Sequence, residues 1–193
     1  MYNEVSLVKA LLLYGSPRNK GNTYQIVQLT KKVLKELNIQ CNEFFLTRLH
    51  GSMCIGCDHC LEHNTCIYTD DFTKVMDTIR DYEIIVISTP VYFGGVTSQL
   101  KVLIDRMQVL YNNRDKIYKK TAVLCISTAA EKNPIVFEGI KRTLTYVSYS
   151  LGAVATEYIV VNNVFEIKTI NELVDKATIT KSIKNILIYF NEI

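Results

Sequence analysis

The sequence predicts an α/β protein built on a doubly wound parallel sheet of five strands, with helices on both faces. Short apolar runs rich in β-branched residues recur along the chain, and segments of helical apolar period separate them. Strands that alternate with helices in this way bury a parallel sheet between two helical layers.

The five strand readings are Ser6–Tyr14, Glu43–Leu46, Glu83–Ser88, Ala122–Ser127 and Ala153–Val161, most of them apolar enough to be buried on both faces. Ile26, Leu29, Val33 and Leu37 form the first helical face. Val96, Leu100, Leu103, Ile104 and Met107 form another, and Val136, Ile140, Leu144, Val147 and Leu151 a third. A shorter helix is expected over Asp70–Asp81, and a last one from Thr169 to the C terminus. These elements fit the flavodoxin-like strand order 2-1-3-4-5, in which a ligand sits beyond the carboxyl ends of the first and third strands.

Composition bounds the function. The 193 residues, with only three prolines, eight glycines and no linker-like stretch, suit one domain over 1–193 with a cysteine-rich loop at about 50–69. A net charge of +3, from 22 Lys and Arg against 19 Asp and Glu, is too small and too evenly spread for a nucleic-acid surface. No apolar run is long enough for a bilayer, and the first residues lack a cleavage pattern for secretion, so a cytoplasmic protein is expected. Six cysteines, four of them clustered, then point to metal or redox chemistry before disulfides.

The loop after the first strand runs Gly15-Ser16-Pro17-Arg18-Asn19-Lys20-Gly21-Asn22-Thr23 into a helix. Backbone N–H groups at a helix start favour a phosphate, Ser16, Asn22 and Thr23 can donate to its oxygens, and Arg18 can add charge-assisted bonds. The plainer alternative is that Asn22 or Thr23 caps the helix and Gly15 makes an ordinary turn. Neither a Walker loop nor a three-glycine dinucleotide fingerprint is present. The third strand ends in Ser88-Thr89-Pro90-Val91-Tyr92-Phe93-Gly94-Gly95, where two glycines allow close backbone approach to a flat ring. Tyr92 and Phe93 are read either as packing residues or as a cofactor shelf.

Gly-Ser-Pro-Arg with Gly-Asn-Thr, then Cys-Ile-Gly-Cys-Asp-His-Cys, Thr-Pro-Val-Tyr-Phe-Gly-Gly and Leu-Lys-Val-Leu-Ile-Asp-Arg occur in one order. In this the chain resembles the iron-sulfur flavoproteins, within the NAD(P)H-dependent FMN reductase group. The resemblance implies that Ser16, Arg18, Asn22 and Thr23 grip the FMN phosphate and that Pro90, Val91, Tyr92, Phe93 and Gly94 line the isoalloxazine. Lys101, Asp105 and Arg106 also match, but their helical spacing favours a surface ion pair over catalysis. The loop after the fourth strand, Ser127-Thr128-Ala129-Ala130-Glu131, lacks the glycines of many relatives, leaving Ser127 and Thr128 as its candidate contacts.

Cys54, Cys57 and Cys60 are each two residues apart, and Cys66 follows after five more. Three thiolates from one loop suit a cuboidal iron-sulfur cluster better than zinc, which more often takes two separated pairs. Spacing leaves the fourth ligand open; the resemblance implies that Cys66 supplies it to a 4Fe-4S cluster. Idle thiols, a redox-sensitive disulfide and a remnant of a lost cluster are the alternatives. Cys41 and Cys125 read as buried small hydrophobes, His59 and His63 as surface residues, and Asp70 and Asp71 as helix caps.

The leading reading is an FMN-dependent redox protein passing electrons through the cluster and FMN, with no catalytic side chain required. Its expected partners, by resemblance, are ferredoxin or NAD(P)H as donor and further copies of itself in a homodimer or homotetramer. The alternative is a cluster-free NAD(P)H-dependent FMN reductase of the quinone or azo type. A phospho-receiver on the same fold is disfavoured because Gly15, Ser16 and Arg18 stand where its acidic residues belong.

Overall fold

Nearly every side chain is buried in β1 (Lys9–Tyr14), β3 (Ile84–Pro90) and β4 (Thr121–Thr128), whereas β2 (Gln40–Phe45) and β5 (Ala153–Val161) are only half-covered. The computed structural model describes residues 8–116, 119–165, 172 and 174–190. All neighbouring strands pair in parallel in the order β2-β1-β3-β4-β5, with Leu13 opposite both Phe44 and Ile87. The half-covered strands are the two edges, and the other three have the two-sided burial expected of most strands.

Among the described residues the longer helical elements are α1 (Asn22–Glu36), α2 (His59–His63), α3 (Asp71–Ile79), α4 (Ser98–Arg106), α5 (Gln108–Asn112), α6 (Glu138–Ser150) and α7 (Lys176–Leu187). Because strand side chains alternate, each central strand feeds two cores. Leu11, Leu13, Ile85, Ile87 and Val123 meet Val75, Leu103, Ile140 and Leu144 of α3, α4 and α6 on one face. On the other, Leu12, Val86, Leu124 and Ile126 meet Ile26, Val33, Ile179 and Ile183 of α1 and α7. Each fully buried Leu or Ile contributes roughly 1.5–3 kcal/mol, so the three central strands anchor the sheet.

Besides the helices α2 and α5, which the sequence reading did not include, the differences from it lie at element ends. β2 starts at Gln40 instead of Glu43, because backbone pairing with β1 begins at Lys9 and an edge strand tolerates Gln40 and Asn42. Leu46 opens a short 3-10 turn after it. The expected β1 start at Ser6 lies outside the described residues, as do Thr169 and its neighbours in the last helix reading. Asp175 caps the described part, α7, accepting from the Thr178 N–H at 2.6 Å. Among the described residues, no helix is long and apolar enough to cross a membrane.

Candidate cofactor site

Parallel pairing delivers the loops after β1, β2, β3 and β4 to one edge of the sheet, around the β1/β3 switch point. In the first loop the Gly15 N–H donates to the Ser88 carbonyl at 2.8 Å, and a Cβ on Gly15 would lie 2.6 Å from that oxygen. Gly15 is therefore a close-packing residue, not an ordinary turn. The chain turns over Arg18–Gly21, and Gly21 is the N-cap of α1 with no side-chain cap. That geometry corrects the capping alternative: Asn22 and Thr23 are the first helical residues, and the N–H groups of the first turn keep their capacity for an anion.

The four loop side chains differ in what they can offer. Ser16 is buried and its Oγ accepts from the Arg18 N–H at 3.2 Å, so the hydroxyl proton is free to donate. Thr23 Oγ1 shares one hydrogen bond with Thr128 Oγ1 at 2.7 Å, and such a pair retains one O–H for a third group. Asn22 Nδ2 donates to the Val164 carbonyl at 3.3 Å, tying the loop after β5 to the helix start. Arg18 is exposed, and its guanidinium makes no ion pair among the described residues.

Beyond β3 the Val91 N–H donates to the Thr128 carbonyl at 2.8 Å, and Tyr92 and Gly95 exchange both backbone hydrogen bonds at 2.9 Å. Phe93 (φ 49°) and Gly94 (φ 71°) form the tip. Two positive φ values in a two-residue loop make a type I′ hairpin, so the turn itself accounts for glycine at 94. Phe93 is a bulky residue held in the left-handed region, and it stands fully exposed beside the partly exposed Tyr92. Neither ring packs into the core. The tip rests on the start of α6, where a Cβ on Gly139 would overlap the Gly94 carbonyl.

Thr97, not singled out in the sequence, joins the two loops. Its Oγ1 donates to the Gly15 carbonyl at 2.5 Å and accepts from the Leu100 N–H, while its own N–H donates to Thr89 Oγ1. The available signal was a threonine directly before an apolar helical period. Ser127, at the end of β4, is buried with its Oγ lacking a partner.

The loop after β2 brings Cys54, Cys57, Cys60 and Cys66 to the wall of one cavity of about 50 Å³, with Ile55, Ile67, Tyr68 and Arg106 among its other lining residues. Cys54 and Cys57 are exposed, Cys60 and Cys66 half-buried, and Cys60 Sγ accepts from Asn112 Nδ2 at 3.4 Å. Among the described residues, no three His, Cys, Asp or Glu side chains converge on a single metal ion.

Arg106 corrects the surface reading. Lys101 and Asp105 do form an exposed ion pair at 2.5 Å, but the Arg106 side chain has no exposed surface. Its Nη1 lies 2.7 and 2.6 Å from the two Asp70 oxygens, and Nη2 donates to Thr73 Oγ1 at 2.6 Å. Asp70 also caps α3 through the Phe72 and Thr73 N–H groups and accepts from the Ser52 N–H at 3.0 Å. Desolvation raises the Asp70 pKa, but the Arg106 hydrogen bonds and the backbone N–H donors outweigh it and hold the carboxyl below its ordinary value. Asp71 sits inside the first turn of α3, accepting from the His50 N–H at 3.0 Å and pairing with Lys74.

Residues 8–136, more than half of the chain, match the family of NADPH-dependent FMN reductases. The chain belongs to that family. Among similar curated proteins, an iron-sulfur flavoprotein of Methanocaldococcus jannaschii is 34% identical over 119 residues, 60% of this chain and 62% of the relative. An iron-sulfur flavoprotein of Archaeoglobus fulgidus is 29% identical over 166 residues, 81% of this chain and 75% of the relative. The chain thus spans less than two thirds of the length of the first. Among solved structures, the NAD(P)H:quinone oxidoreductase of Methanothermobacter marburgensis superposes with a TM-score of 0.68 at 12% identity, covering 92% of this chain and 96% of that one. An FMN-dependent NADH-azoreductase of Bacillus anthracis in complex with FMN gives 0.65 at 13%, covering 92% and 98%. At these identities the likeness is one of fold, and it agrees with the flavodoxin-like strand order.

Two features of this FMN reductase family member suit FMN: an anion-ready helix start without a side-chain cap, and the unpartnered Ser127 Oγ at the same sheet edge. Four thiols around one cavity suit a cluster in which each iron takes one cysteine, a donor set spread more widely than the shell of a single ion. The remaining thiols stand apart. Burial pushes the Cys125 thiol up and leaves it inert, whereas Cys41 is only half-buried on edge strand β2, not in the core as expected. His63 stacks on His59 at 4.0 Å, and His59 shares the cysteine cavity.

Proposed function

We propose that this chain is an FMN-dependent oxidoreductase in which electrons pass between FMN and a 4Fe-4S cluster held by Cys54, Cys57, Cys60 and Cys66. The observation that carries the reading is the gathering of all four thiols on one cavity, in a loop on the same carboxyl edge as both flavin loops. FMN supplies one- and two-electron chemistry when bound, and the cluster supplies single electrons. The side chains bind and orient, and none serves as nucleophile or general base.

In this reading the first turn of α1, Ser16 and the Thr23–Thr128 hydroxyl pair receive the FMN phosphate, with Arg18 adding charge from solvent. Asn22 contributes its backbone N–H, since one of its side-chain donors holds Val164. The ring lies along Pro90, Val91, Tyr92, Phe93 and Gly94, where the hairpin tip offers the N–H groups of Phe93 and Gly94. Ferredoxin or NAD(P)H is the donor. Exposed Met53, Ile55, Leu61 and Ile67 on the cysteine loop, with Tyr146 and Tyr149 on α6, support a homodimer or homotetramer that covers them. Four clustered free thiols support a cytoplasmic location.

Arg18→Ala tests the phosphate site. Being exposed, Arg18 stands at the low end for hydrogen bonds to a charged group, about 1.5 kcal/mol, so FMN affinity falls roughly tenfold in a fluorescence titration. Unchanged affinity moves the phosphate elsewhere. Gly94→Val tests the ring site, because a β-branched residue at φ 71° costs about 1–2 kcal/mol and distorts the hairpin. Flavin occupancy drops while the far-ultraviolet circular dichroism spectrum stays unchanged. Full occupancy in that variant contradicts the assignment.

A second reading, the cluster-free NAD(P)H-dependent FMN reductase of the quinone or azo type, is supported by the family match over residues 8–136. Rapid NAD(P)H oxidation by protein carrying FMN alone favours it.

A further inference from the structure

Arg106 lines the cysteine cavity, and its guanidinium is almost fully engaged: Nη1 with Asp70 and the Ser52 carbonyl at 3.2 Å, Nη2 with Thr73. Nε remains, buried and without a hydrogen-bond partner. A charged N–H donor enclosed in protein without an acceptor is costly, and each such group calls for a partner. The cavity that Arg106 shares with Cys54, Cys57, Cys60 and Cys66 offers sulfur as that partner.

We infer that the Arg106 Nε–H donates a hydrogen bond to a cysteinyl or inorganic sulfur of the cluster, an inference that rests on the cluster reading above. The same side chain steadies the Cys54 end of the loop, because Asp70 and Arg106 grip the N–H and carbonyl of Ser52, two residues before that ligand. Hydrogen bonds to the sulfurs and nearby positive charge favour the more negative, reduced cluster, so Arg106 raises the reduction potential.

The test uses full-length protein labelled with 15N-arginine, reconstituted anaerobically with iron and sulfide, reduced, and studied by pulsed electron paramagnetic resonance. The expected spectrum carries a hyperfine coupling from one arginine nitrogen, absent in Arg106→Lys, which keeps the positive charge but has no Nε–H. In that variant the reduction equilibrium of the cluster falls about tenfold, roughly 59 mV for a one-electron couple. Wild-type protein that holds its full iron complement but shows no arginine coupling overturns the role of Arg106 and leaves the cluster reading standing. An unchanged potential in iron-loaded Arg106→Lys does the same. Wild-type protein that takes up no iron overturns both.

Discussion

Asp70→Ala lowers the stability of the folded chain by about 3–5 kcal/mol, the scale of breaking one side of a buried ion pair. The variant leaves the Arg106 guanidinium enclosed without its counter-charge and removes the N-cap of α3 together with the acceptor for Ser52 N–H. Denaturant unfolding followed by circular dichroism measures the loss. A change below about 1 kcal/mol places the pair among surface salt bridges and contradicts the burial argument. The pH dependence has a definite sign. Since the folded Asp70 pKa is depressed, the contribution of the pair is complete above the ordinary carboxylate value and is lost as pH falls through the lower, folded value. Asp70→Ala therefore flattens the acid limb of the stability curve relative to wild type.

Serine at Cys54, Cys57, Cys60 and Cys66 together has the largest functional effect, abolishing iron uptake on anaerobic reconstitution. Serine oxygen is a poor substitute for thiolate, and iron-sulfur clusters take their protein ligands chiefly from cysteine. The core is largely spared, because Cys54 and Cys57 are exposed, Cys60 and Cys66 are only half-buried, and Cys66 alone of the four packs against the core's edge. FMN affinity is also unchanged, since the phosphate loop and the hairpin draw on α1, β3, β4 and α6. Iron retained at wild-type stoichiometry sends the search for ligands elsewhere. Loss of FMN along with iron shows instead that the cysteine loop supports the flavin site.

The sheet was legible in the sequence because β3 and β4 are unbroken apolar runs and the helices between them repeat every three or four residues. The start of β2 was not, since Gln40, Cys41 and Asn42 pair through backbone atoms while their side chains carry no apolar alternation. The loops after β1 and β3 were legible as composition but not as shape. Nothing in Tyr92-Phe93-Gly94-Gly95 resembles the Asn-Gly signature of a type I′ turn, and only Gly94 hinted at a positive φ. Arg106 was misplaced for a related reason. Its partner Asp70 is 36 residues away, so the helical spacing with Lys101 and Asp105 suggested a surface ion pair instead. Its position three after the fully buried Leu103 was the overlooked sign that it belongs to the inner face of α4.

Passage of electrons to FMN through the proposed cysteine-bound cluster is tested by anaerobic stopped-flow mixing with reduced ferredoxin. Two samples are compared, both loaded with FMN: the reconstituted wild-type protein and the four-serine variant. Absorbance of oxidised flavin is followed in each. If the cluster is the route, bleaching is rapid in the iron-loaded wild type and slowed by orders of magnitude in the variant. Equal rates in the two, accompanied by fast bleaching of both with NAD(P)H, contradict it and assign the chain to the cluster-free FMN reductases.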